Sequence, residues 1–121
     1  MARILIAEDS RSIRAVLGTL LPSRGFEVEM TKDGKEALDY LVGGGQADLL
    51  LTDVDMPGMD GNQLIREMTA RRYSMPIVVF SCVNGYDESL GEAYKGPIES
   101  SPKPFDNNEL VAQITRLTAT A

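Results

Sequence analysis

Runs of β-type residues alternate with runs of helical period from one end of this chain to the other, and nothing else in it limits the fold as strongly. Arg3-Ile-Leu-Ile-Ala7 is a short apolar run of the kind a buried strand needs. Ser10 can cap a helix in which Ile13, Val16, Leu17, Leu20 and Leu21 form one apolar stripe, with Pro22 and Gly25 closing it. Phe26 to Thr31 alternates as a half-buried strand does. Asp33 with Glu36 has the spacing of a capping box ahead of Ala37, Leu38, Leu41 and Val42, and glycines 43–45 end that helix. Asp48 to Asp53 is nearly continuous in apolar residues, as a central parallel strand is. A loop with Pro57 and Gly58 follows, then a helix capped by Asp60 that turns Leu64, Ile65 and Met68 inward. Pro76 to Ser81 reads as a fourth buried strand, and residues 84–95, with Gly85 and Gly91, as a short or mobile helix. Pro97 to Ser101 is polar enough, and its proline restrictive enough, for an edge strand only. Asp106 and Glu109 open a last helix carrying Leu110, Val111, Ile114 and Leu117.

Five such repeats, (βα)5, imply an α/β fold with a doubly wound parallel five-stranded sheet and helices on both faces, since right-handed crossovers lay each helix against the sheet. Its 121 residues suit a single domain, residues 1–121, and 43% apolar content supports a core. With 12 basic against 18 acidic residues the formal net charge is −6. That balance argues against direct nucleic-acid binding and against an anionic membrane surface, which both begin with a basic field. No apolar run approaches a transmembrane length, and the N-terminus turns acidic at Glu8 without a signal-peptide stretch. A lone Cys82 makes no internal disulfide and suits a reducing, cytoplasmic setting; it reads as a small buried residue without a redox role. With no histidine, imidazole acid–base catalysis and most zinc sites are excluded, and carboxylate chemistry remains.

In open parallel sheets the functional crevice lies beyond the carboxyl ends of the strands. There the first strand delivers Glu8 and Asp9, the third Asp53, the fourth Ser81, and the fifth runs into Lys103. If the first, third and fourth strands are neighbours, three carboxylates, a hydroxyl and an ammonium meet at one rim. Unit charges ~4 Å apart repel by about 4 kcal/mol at an effective dielectric near 20, so such a cluster calls for a cation. Hard oxygen donors favour Mg2+, or Mn2+, over zinc. A carboxylate beside a divalent ion, a lysine and a hydroxyl is equipped to accept a phosphoryl group, with Asp53 as nucleophile and Lys103 and Ser81 holding the anion. Taken singly, Glu8-Asp9 is an ordinary strand-end turn, Ser81 a satisfied hydroxyl and Lys103 a surface lysine. Asp53 is the exception, because a carboxylate at the end of a nearly continuous apolar run is costly unless paired or metal-bound.

Taken together and in order, these residues resemble the receiver domain of two-component response regulators over essentially the whole chain. The resemblance rests on Glu8-Asp9, Asp53, Met56-Pro57-Gly58-Met59-Asp60-Gly61, Ser81 and Lys103-Pro104-Phe105. It implies a flavodoxin-like strand order 2-1-3-4-5 and phosphoryl transfer from a histidine kinase or phosphotransfer protein to Asp53. It further implies Mg2+ held by Glu8, Asp9, Asp53 and the backbone carbonyl of Asp55, phosphoryl oxygens held by Ser81 and Lys103, and a cis Lys103–Pro104 bond. The product is a conformational signal to a downstream protein target. Such a domain is no enzyme in the ordinary sense, although it assists its own phosphorylation and autodephosphorylation. Since the chain stops soon after the last helix, a stand-alone single-domain regulator is expected. Ser100 stands where the family usually carries Tyr or Phe, so aromatic switching at that position is not available. Asp55 is placed to influence phosphate lifetime. Two other readings compete: an aspartyl-phosphate hydrolase of the haloacid dehalogenase type using Asp53 and Asp55, and a receiver-like interaction module that is not phosphorylated.

Overall fold

The structure is a computed structural model and describes residues 1–81 and 87–119, with the backbone alone for Ser81. Five strands, β1 (Arg3–Ala7), β2 (Glu27–Thr31), β3 (Leu49–Asp53), β4 (Ile77–Ser81) and β5 (Ile98–Pro102), alternate with α1 (Arg11–Ser23), α2 (Gly34–Val42), α3 (Gly61–Ala70), α4 (Leu90–Ala93) and α5 (Asn107–Thr118). The strands form one parallel sheet in the order β2-β1-β3-β4-β5. The most apolar strand, β3, is central and buried at every residue, while the polar β5 lies at an edge, as its composition requires.

Because side chains alternate along a strand, each central strand feeds two cores. Leu5, Leu50, Ile77 and Val79 face α2 and α3 with Leu38, Leu64 and Met68. Ile4, Ile6, Leu51, Val78 and Phe80 face α1 and α5 with Leu17, Leu21, Leu110 and Ile114. A shift of any central strand by one residue would exchange its two sets and leave both cores misfitted.

Most boundaries follow their sequence signals, and four details differ. Asp60 and Gln63 form a reciprocal capping box, whereas Asp33 accepts from the Glu36 N–H but Glu36 turns back to the Lys32 N–H instead. Pro22 sits inside the last turn of α1 instead of ending it; the next residues close on the helix through Arg24 N–H to Leu21 and Gly25 N–H to Pro22, with Gly25 at φ 90°. Strand β2 alternates weakly, its Val28 and Met30 being only partly buried, because an edge strand has a neighbour on one side. Among the described residues of the expected helix 84–95, only Leu90–Ala93 is helical; Gly85 and Cys82 lie outside the described residues.

Glycine 61 decides how α3 meets the end of β3. Its N–H donates to Val54 O at 2.8 Å, and a Cβ there would fall 2.4 Å from the Asp53 carbonyl oxygen. Gly61→Ala is therefore expected to cost about 1–3 kcal/mol by overpacking, measured as a lower urea midpoint with an unchanged slope.

Candidate functional site

At the carboxyl edge of the sheet β1 ends in Ala7 and hands the chain to Glu8, which is fully buried, and to Asp9, which is exposed. Strand β3 ends in Asp53, 6% exposed, and β5 leads into Lys103 through Pro102. The strand order makes β1 and β3 direct neighbours, so these side chains converge although Glu8 and Asp53 stand 45 positions apart in the sequence. One oxygen from each of Glu8, Asp9 and Asp53 lies within 4.8 Å of the others.

Lys103 supplies the countercharge. Its Nζ donates to Glu8 Oε1 at 3.1 Å and to Asp53 Oδ2 at 2.9 Å. Beneath it Phe80 lies 5.8 Å from Nζ, and Phe105 stacks on Phe80 at 5.2 Å between ring centroids. The Lys103–Pro104 bond is cis. The second oxygen of Glu8 accepts the Ser10 N–H at 3.0 Å, and the second oxygen of Asp53 accepts the Asp55 N–H at 3.4 Å. Every carboxylate oxygen of Glu8 and Asp53 thus has a donor, as burial demands.

Burial raises the Glu8 carboxyl above its ordinary range, with the Ser10 N–H and Lys103 opposing the rise and the Asp53 charge reinforcing it. Burial pulls the Lys103 ammonium down, but its bonds to Asp53 and Glu8 outweigh that and leave it above its ordinary value. Three carboxylates against one ammonium leave a formal surplus of two negative charges. Among the described residues the donor set is hard oxygen in a half-open rim, which fits Mg2+ or Mn2+ better than zinc.

Of the residues singled out in the sequence, the structure brings Glu8, Asp9, Asp53 and Lys103 together. Asp55 is exposed beside them and, with Asp9, Met56 and Pro57, lines a shallow acidic depression at the rim. The Ser81 backbone ends β4 next to this edge, and its side chain lies outside the described residues. Ser100 is exposed, and its carbonyl accepts Gln113 Nε2 at 3.1 Å. Neighbouring Glu99 is held by Gln113 and, through both carboxylate oxygens, by Arg116, so α5 grips β5 by polar bonds. Arg14 belongs to no motif, yet its guanidinium reaches the turn that carries Glu8 and Asp9. Its place one helical turn beyond the cap Ser10 is the only signal of this in the sequence.

Residues 4–115 match the family model of the response regulator receiver domain. The chain is 34% identical over 115 residues to a response regulator MprA of Mycolicibacterium vanbaalenii, covering 95% of this chain and 49% of that protein. It thus spans about half the length of that curated relative. Among solved structures, a CheY-like receiver domain protein from Methanospirillum hungatei superposes with a TM-score of 0.84 at 28% identity, covering 97% of this chain and 94% of that one. The receiver domain of the Pseudomonas aeruginosa sensor kinase PA1611, solved with a magnesium ion in its active-site cleft, superposes at 0.82 with 28% identity over 98% of both chains.

Removing Lys103 exposes the cost of the buried acids. A fully buried pair loses about 3–5 kcal/mol when one partner goes; with the Lys103 side chain 16% exposed, Lys103→Met is expected to lose about 2–3 kcal/mol at neutral pH in chelator. A carboxyl raised above its unfolded value favours folding when protonated, so its contribution is full below that value and lost as pH climbs through the folded one. The Lys103→Met deficit should therefore shrink as pH falls from the raised value of Glu8 towards the ordinary glutamate value of 4.5, and be smallest below it. Urea titrations across pH measure this, and a deficit independent of pH would contradict it.

Proposed function

The chain belongs to the response regulator receiver family, and on that premise we propose that it accepts a phosphoryl group on Asp53 and converts that event into a conformational signal. The observation that carries this is the Lys103 bridge between Glu8 and Asp53, at 3.1 Å and 2.9 Å, beside the exposed Asp9. It holds a carboxylate nucleophile, an ammonium for the incoming anion and two further carboxylates within reach of each other. The donor is a histidine kinase or a phosphotransfer protein, since this chain has no histidine of its own.

An Asp53 carboxylate oxygen attacks phosphorus, the P–N bond of the donor phosphohistidine breaks, and the freed imidazole keeps the electron pair and takes a proton from solvent. Lys103, released from the Asp53 oxygen, follows the negative charge onto the phosphoryl group. The Ser81 hydroxyl, at the end of the adjoining strand, donates to the same oxygens. Glu8, Asp9, Asp53 and the Asp55 carbonyl would hold an Mg2+ ion, for which Mn2+ could substitute, and the ion would supply neutralisation of charge on the oxygens of the transferring group. The exposed Asp55 side chain stands beside the acyl phosphate, where hydrolytic water approaches, and so affects phosphate lifetime.

Signal output goes to a protein partner, without direct contact to nucleic acid or membrane, in the cytoplasm. Among the described residues no helix is long and apolar enough to cross a membrane. The reading concerns the receiver itself; the MprA relative extends well beyond the matched region, so the sequence expectation of a stand-alone regulator finds no support there. The hydrolase alternative needs its Asp-x-Asp signature on a first strand, whereas Asp53-Val54-Asp55 ends the third.

Incubation with a small acyl phosphate and Mg2+ is expected to add one phosphoryl group to the wild type by intact mass, none to Asp53→Asn and none in excess chelator. Equal labelling of Asp53→Asn would overturn the assignment. Lys103→Ala should still be labelled but should lose the phosphorylation-dependent change in amide exchange seen in the wild type.

A further inference from the structure

The turn that presents Glu8 and Asp9 has left the sheet, and its aim is set by something other than strand pairing. Arg14 Nη1 donates to Glu8 O at 2.8 Å and to Asp9 O at 3.0 Å. Those two carbonyls belong to the peptide groups on either side of the Asp9 Cα. With both planar peptides tied to one nitrogen, the torsions at Asp9 are restrained, and with them the direction of its Cα–Cβ bond. The Asp9–Ser10 peptide is tied at its other end as well, since the Ser10 N–H donates to Glu8 Oε2 at 3.0 Å. One chain of hydrogen bonds thus runs from Arg14 through that peptide to the Glu8 carboxylate and on to Lys103. Arg14 itself is anchored by its own N–H to Ser10 O at 2.9 Å, in the first turn of α1.

We propose that Arg14 is a positioning residue for the divalent cation: through the Glu8 and Asp9 carbonyls it pre-aims the two carboxylates that β1 delivers to the site. The inference rests on the metal-dependent acceptor reading above. Arg14 touches neither carboxylate, so its effect is geometric, and geometry and charge here act with opposite signs. A cation near the site repels Mg2+, and by charge alone its removal would tighten binding. Loss of a residue that orients metal ligands weakens binding, typically by about 10–100-fold. The two accounts therefore predict opposite outcomes.

The test is calorimetric titration of Mg2+ into the chelator-stripped full chain, for wild type, Arg14→Met and Arg14→Lys. Arg14→Met keeps the side-chain stem and removes the donors; it is expected to weaken Mg2+ binding by about tenfold. It should also raise the Mg2+ needed for half-maximal labelling by acyl phosphate, while at saturating Mg2+ one phosphoryl group is still added. Arg14→Lys, with a shorter donor, should fall between the two. A change in Mg2+ affinity smaller than about threefold, or tighter binding, overturns the proposal, whatever happens to thermal stability. If Arg14→Met shows no cooperative thermal transition, the proposal is judged on Arg14→Lys, for which unchanged or tighter Mg2+ binding overturns it. Absence of Mg2+ binding in the wild type would instead overturn the acceptor reading itself, and the role of Arg14 with it.

Discussion

A glutamate with no solvent exposure at the end of a strand is an expensive thing to fold around, and the upper edge of this molecule is organised to answer it. Lys103 arrives from the far edge strand to bridge Glu8 and Asp53, and the Ser10 N–H takes the remaining oxygen of Glu8. Phe80 and Phe105 form the floor on which the lysine rests. Glu8, Asp53, Phe80 and Lys103 come from four different strand ends, and the sheet order makes them neighbours. One ammonium against three carboxylates, the exposed Asp9 among them, leaves the surplus charge that a divalent cation can answer.

The two faces of the sheet are dry, and the polar chemistry is confined to its rim. Buried hydroxyls inside the fold are spent on backbone carbonyls, Thr31 on Ile6 O at 2.6 Å and Thr52 on Asp53 O at 2.8 Å. Among the described residues no buried side-chain polar atom lacks a partner. That confinement lets the site be rigid beneath and open above, which suits a reaction whose donor is another protein. At the β5 edge of the sheet, the strand is gripped by α5 through Glu99, Gln113 and Arg116.

Much of this was legible in the chain. The alternation of apolar runs placed all five strands, and the strand ends picked out Glu8, Asp9, Asp53 and Lys103 because parallel sheets gather their chemistry there. Helix starts at Asp60 and Asp106 followed from capping chemistry, which is local. What stayed hidden was the partner of each polar group. Glu36 turning to the Lys32 N–H, Gln113 reaching across to Ser100, and Arg14 holding the Glu8–Asp9 turn are choices among several acceptors of equal chemistry.

By itself, then, the sequence determined the element order, the two apolar faces of each central strand and the acidic residues at the strand ends, since periodicity and capping depend on neighbours a few positions away. Only the tertiary structure decided that Glu8 is fully buried while Asp9 beside it is exposed. It alone decided that Lys103 bridges Glu8 to Asp53 instead of reaching into solvent, and that Arg14 turns back on the strand end it follows. The physical reason is the same in each case. Burial and hydrogen-bond partnership are properties of a site's three-dimensional surroundings, and here those surroundings are assembled from β1, β3, β5 and α1, whose residues are far apart along the chain.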